Sequence, residues 1–107
     1  MHPTPNVHAT VHAGRAVVTV AGSLDMDTCP RVTETTDALT LRGQTLILDL
    51  SAVTFIDSSA LNMLLTLRQR VQAEDGALEL RGVPRQAMRV LDITGTRDLF
   101  DLAEKTA

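Results

Sequence analysis

The sequence predicts an α/β domain: a single layer of four to five mixed strands with helices mainly on one face. Three observations predict it. The segment T45-L-I-L-D-L50 is a near-continuous apolar run, which suits a central parallel strand buried on both faces. After Asp57-Ser58-Ser59 the apolar period changes from about 2 to about 3.6, as where a strand hands over to a helix. Two strand-like segments precede the first helical pattern, so the order β-β-α-β-α-β-α-α combines an opening hairpin with two βαβ units. Right-handed crossovers place the helices of those units on one side of the sheet. The second face is then partly open, or covered only by terminal segments.

The first six residues, with Pro3 and Pro5, read as a flexible tail, and residues 7–107 as one domain. V7-H-A-T-V-H12 alternates weakly, as an edge strand does, and Ala13-Gly14 turns it into R15-A-V-V-T-V-A-G22. In the loop that follows, Asp27 or Thr28 can cap a helix with Pro30 in its first turn. That helix is predicted from Arg31 to Leu41, with Val32, Ala38, Leu39 and Leu41 as its apolar side, closed by Gly43. S51-A-V-T-F-I56 leads from the central strand to the Asp-Ser-Ser junction. In the long helix beyond it, Ala60, Leu64, Leu67 and Val71 form one stripe with Met63 at its edge, and Asn62, Thr66, Gln69 and Ala73 fall on the solvated side. It should end near Asp75-Gly76. A77-L-E-L-R81 is a short strand, R85-Q-A-M-R-V-L-D92 a helix, and residues 96–103 a last helical stretch after Gly95.

Composition excludes several function classes. The 107 residues carry a net charge of −3, two Phe and no Trp or Tyr, so the basic groove and stacking rings of single-stranded nucleic-acid binding are missing. No stretch of about 18 apolar residues and no signal-peptide pattern occur, so a cytoplasmic protein without membrane insertion is expected. The lone Cys29 cannot form an internal disulfide and reads as a packed thiol. His2, His8 and His12 fit edge-strand alternation better than metal ligation, since a structural zinc site wants four closing ligands. No cofactor is implied.

The Asp57-Ser58-Ser59 junction is a helix start at the carboxyl end of a buried strand, where loops of open α/β sheets carry their sites. Asp57 or Ser58 as a plain helix cap explains one of these residues, at about 1 kcal/mol. Serine hydrolysis fits poorly, because the flanks are not Gly-x-Ser-x-Gly and no histidine follows Ser58. No phosphate-binding Gly-x-x-x-x-Gly-Lys loop occurs either. Covalent modification remains. A phosphate on Ser58 gains from the helix dipole about 0.3–1 kcal/mol, and the neighbouring Asp57 opposes it. The fold therefore barely changes, whereas a partner docked there meets like charge costing several kcal/mol.

Three segments, V20-A-G-S-L-D25 with Thr28, L46-I-L-D-L-S-A-V-T-F-I-D-S-S-A-L61, and V90-L-D-I-T-G95 with Leu99-Phe100, occur in the order and spacing of a known family. Over about residues 7–104 the chain resembles the STAS-domain family, and within it the bacterial anti-sigma factor antagonists. The resemblance implies a non-enzymatic switch: an anti-sigma factor with serine kinase activity binds the antagonist, releases its sigma factor, and phosphorylates the serine after the aspartate. A phosphatase reverses this. By position the acceptor is Ser58, with Ser59 the alternative hydroxyl. The partner-binding surface implied comprises Ser23, Asp25, Asp27, Asp57, Ser58, Ser59, Leu61, Asn62 and Leu65. The bland reading of Asp25 and Asp27 is capping and a solvated loop, and that of Leu61 and Leu65 a wide core face. Family members usually carry glycine at the positions of Ala60 and often of Asn62, and a glycine lets a partner backbone approach closely. Two other function classes fit less well: a STAS adaptor in a transporter-associated or signalling scaffold, with Ser58 only a cap, and a small nucleotide-binding module using the helix N-terminus.

Overall fold

The computed structural model describes residues 6–103. In chain order these form β1 (Asn6–His12), β2 (Arg15–Leu24), α1 (Cys29–Asp37), β3 (Thr45–Ile56), α2 (Ser58–Ala73), β4 (Ala77–Arg81), α3 (Arg85–Thr94), a 3-10 turn (Arg97–Leu99) and β5 (Asp101–Ala103). Residues 1–5 of the predicted tail lie outside the described residues, and Asn6 already belongs to β1.

The strands lie in the order β1-β2-β3-β4-β5, with the hairpin β1–β2 antiparallel and every other pairing parallel. Register explains the apolar patterns. Val18, Leu48 and Leu80 stand side by side on adjacent strands, as do Ala16, Leu46 and Leu78, and Leu102 of β5 extends the first row. These rows share one hydrophobic core with Val32 of α1, Leu64 and Val71 of α2, and Ala87 and Leu91 of α3, so all three helices cover the same face. The opposite face presents Val17, Thr19, Glu79 and Arg81, all half-buried, around the buried Ile47 and Asp49. Asp49 sits there with its Oδ1 accepting from the Ser51 N–H (3.0 Å) and hydroxyl (2.7 Å).

The structure differs from the sequence expectation in three places. β3 is twelve residues long and continues to Ile56, twice passing β2 through an irregularity that shifts the register. Each shift lets β3 use one extra residue against β2 and turns its side chains over, which hides a period-2 pattern. α1 stops at Asp37, and Leu41 reaches the core from the loop. The Thr35 and Thr36 hydroxyls donate back to the carbonyls of Arg31 and Thr33, a habit that weakens helices. Residues 96–103 are a 3-10 turn and a three-residue edge strand instead of a helix, with Phe100 buried between them.

Candidate functional site

At the end of β3 the chain passes through Asp57 in an extended conformation (φ −120°, ψ −171°) and enters α2 at Ser58. The Asp57 carboxylate accepts from the N–H groups of Ser59 (2.9 Å) and Ala60 (3.2 Å), so of the two candidate caps Asp57 is the one used. Ser58, the first residue of the helix, is exposed, and no hydrogen bond to its hydroxyl forms among the described residues. Ser59 is half-buried.

The loop after β2 lies beside this junction because Ser23 pairs with Phe55 and Leu24 with Ile56. The Asp57 N–H donates to the Leu24 carbonyl across 3.3 Å. Within the loop, Asp25 is an organiser: its Oδ1 accepts from the N–H groups of Asp27 (3.0 Å) and Thr28 (3.1 Å). The Thr28 hydroxyl in turn accepts from the Asp25 N–H and donates to the Ser23 carbonyl, both at 2.8 Å. Asp27 and Ser23 are exposed. Cys29, at the start of α1, is buried, and burial, then the carboxylates of Asp57 and Asp25, push its thiol up to about 11. It stays protonated at neutral pH, as a packed thiol does.

The residues predicted as partner contacts therefore divide. Ser23, Asp27, Ser58 and Asn62 are exposed, while Asp25, Asp57, Ser59 and Leu65 are half-buried at the same edge or along α2. Leu61 is 9% exposed and belongs to the core beneath the helix. Ala60 is fully buried as well, so its methyl group fills the interior and adds no bulk to the surface around Ser58. Arg68 donates from Nε to the Leu99 carbonyl (2.6 Å), tying α2 to the 3-10 turn.

Sequence reasoning missed three residues here. Met26 is 72% exposed at the tip of the loop, and Phe55, one of only two phenylalanines, is 47% exposed two residues before Asp57. A strand-like alternation carried through to Ile56 would have flagged Phe55, but the register shifts concealed it. The third is Gln86, whose amide binds the backbone of Ile56. Between α1 and α2 runs a groove of about 580 Å³ lined by Met26, Cys29, Thr33, Ser59, Asn62 and Met63. Among the described residues no cluster of His, Cys, Asp and Glu is arranged to hold a metal ion, and no helix is long and apolar enough to cross a membrane.

Proteins similar to this chain over nearly its whole length include anti-sigma factor antagonists. The chain is 28% identical over 101 residues to the anti-sigma-B factor antagonist of Bacillus subtilis, covering 94% of this chain and 93% of that one. A crystal structure of an anti-sigma factor antagonist from Mycobacterium paratuberculosis superposes with a TM-score of 0.80 at 28% identity, over 92% of this chain and 85% of that one. The Bacillus cell fate determinant SpoIIAA in its phosphorylated form shares the fold, with a TM-score of 0.74 at 17% identity over 94% and 92% of the two chains. The STAS domain pattern itself matches residues 6–107, and the protein belongs to the STAS domain family.

Proposed function

We propose that this protein is an anti-sigma factor antagonist that binds a cognate anti-sigma factor and frees a sigma factor, and that phosphorylation of Ser58 switches the binding off. The observation that carries the reading is the division of labour at the α2 start. Asp57 takes the free helix amides, so the adjacent Ser58 hydroxyl is exposed and uncommitted. Met26 in the adjoining loop and Phe55, three residues before Ser58, are exposed and offer apolar contact area to a partner. Similarity along 94% of the chain to an anti-sigma-B factor antagonist supports the partner class.

In this reading the anti-sigma factor is also the kinase. The Ser58 oxygen attacks the γ-phosphorus of ATP, ADP leaves, and the hydroxyl proton passes to a base of the kinase. The phosphoserine adds nearly two negative charges beside Asp57 and in front of the acidic loop. The host helix tolerates them through its dipole, while the docked partner meets like charge. A phosphatase restores the binding form. The antagonist supplies an acceptor and a surface, and no catalytic group.

The test is direct. Incubation with the cognate kinase and ATP adds one phosphate to the wild-type protein, and Ser58→Ala takes up none. Mass spectrometry that finds the phosphate on Ser59, or binding only to membrane-transport components in a pull-down, would count against it.

A further inference from the structure

β4 accompanies β3 only as far as Asp49, where Arg81 is its last partner. There the chain turns away at Gly82, in a left-handed conformation (φ 65°) and so close to β3 that an added Cβ would lie 2.7 Å from the Ser51 Cβ. From Leu50 onward, β2 is the only strand partner of β3 among the described residues. The strand end nevertheless has its backbone satisfied on the vacated side. The Ile56 N–H donates to Gln86 Oε1 (2.9 Å), and Gln86 Nε2 donates to the Ile56 carbonyl (3.0 Å). A primary amide is the neutral side-chain group that both accepts and donates in this way, so one glutamine stands in for the missing strand. On the other side, Asp57 is held by the Leu24 carbonyl.

Ile56 is 1% exposed, so its backbone groups need partners. Gln86 itself is at an exposed position in the first turn of α3. The side chain is therefore placed for its two hydrogen bonds and not for burial. One residue beyond Ile56 stands the helix cap, and two residues beyond stands Ser58.

We propose that Gln86 is a positioning residue for the Ser58 acceptor: its amide grips the end of β3 from the open side and sets where the Asp57 cap and the Ser58 hydroxyl stand. The functional half of this inference rests on phosphorylation of Ser58. Without the grip the strand end is held by β2 alone, Asp57 moves with it, and the hydroxyl spends less time in line with the γ-phosphate. Docking through Met26 and Phe55 is unaffected, so turnover suffers and not affinity.

The experiment compares wild type, Gln86→Ala and Gln86→Glu by amide hydrogen exchange and by phosphoryl transfer from ATP with the cognate anti-sigma factor kinase. Alanine favours the helix, so the fold is retained. For Gln86→Ala, exchange at Ile56 and Ser59 speeds up about tenfold or more while Leu46 and Leu48 keep their rates. Its kcat falls about tenfold with KM within about twofold. Gln86→Glu keeps an acceptor for the Ile56 N–H but loses the donor, and falls between the two. Unchanged exchange at Ile56 and Ser59 in Gln86→Ala would overturn the positioning role. So would a kcat loss accompanied by equal loss of protection at Leu46 and Leu48. A wild-type protein that takes no phosphate on Ser58 overturns the phosphorylation reading instead, so the two failures are read separately.

Discussion

Three helices follow the carboxyl ends of parallel strands, and two of them, α1 and α2, use their side-chain oxygens in opposite ways. At the start of α1, Thr28 is already helical (φ −102°, ψ −25°), and its side chain caps nothing. Its hydroxyl is folded back into the loop between the Asp25 N–H and the Ser23 carbonyl. At the start of α2, Asp57 is extended and its carboxylate takes the first free amides. The hydroxyl that follows is left over. A hydroxyl at a helix start is thus left uncommitted only when neither the cap nor the preceding loop engages it. Thr28 and Ser58 both lie at helix starts, yet of the two only the Ser58 hydroxyl is without a hydrogen bond among the described residues.

The largest effect is expected from charge placed at the free hydroxyl position. Ser58→Asp should weaken binding to the anti-sigma partner by about a hundredfold or more, as several kcal/mol of like-charge contact requires at about 1.4 kcal/mol per decade. Titration calorimetry reads this, and an unchanged Kd would remove the switch. Next in size is Thr28→Val, which strands the Asp25 N–H and should cost about 1–3 kcal/mol in urea unfolding. Phosphate uptake should stay at the wild-type rate, because this hydroxyl holds the loop and is not the proposed phosphate acceptor. If uptake were lost instead, the two helix starts would have to be read as one site.

Asp57→Ala removes the cap and should cost about 1 kcal/mol, with Asp57→Asn close to wild type. The alanine variant should also take up phosphate more slowly than its stability loss explains, since the first turn that carries Ser58 loosens. The smallest effect concerns Cys29, which packs beneath both starts. Its thiol is held up to about 11 against an ordinary 9.0. Between these values the unfolded chain has released a proton that the folded protein keeps, so stability falls as pH rises from about 9 to 11. Cys29→Ala should flatten that part of the stability profile while leaving neutral-pH phosphate uptake unchanged.

Much of this was legible in the residues. The run Leu46–Leu50 announced a strand between two others, and the stripe Ala60, Leu64, Leu67, Val71 announced the buried side of α2, because both patterns are long enough to repeat. The last strand was not legible. Three residues cannot display a period, and Asp101–Ala103 is a strand only because β4 offers an edge. The end of α1 was misplaced for a related reason. Leu39 and Leu41 continue an apolar pattern, and burial from a loop satisfies it as well as burial from a helix does.

The site shows the same division. Sequence alone determined that an aspartate and two serines open a helix after a buried strand, since cap chemistry and the change of period are local properties. It also determined that no histidine follows the serine. Which of the three side chains caps, which is half-buried without capping and which is exposed depended on the backbone angle at Asp57. That Ala60 turns its methyl inward, and that an amide thirty residues away holds the strand end, followed from packing between elements remote in the chain. Local pattern names the groups at a helix start, but only the surrounding fold decides which of them is left exposed.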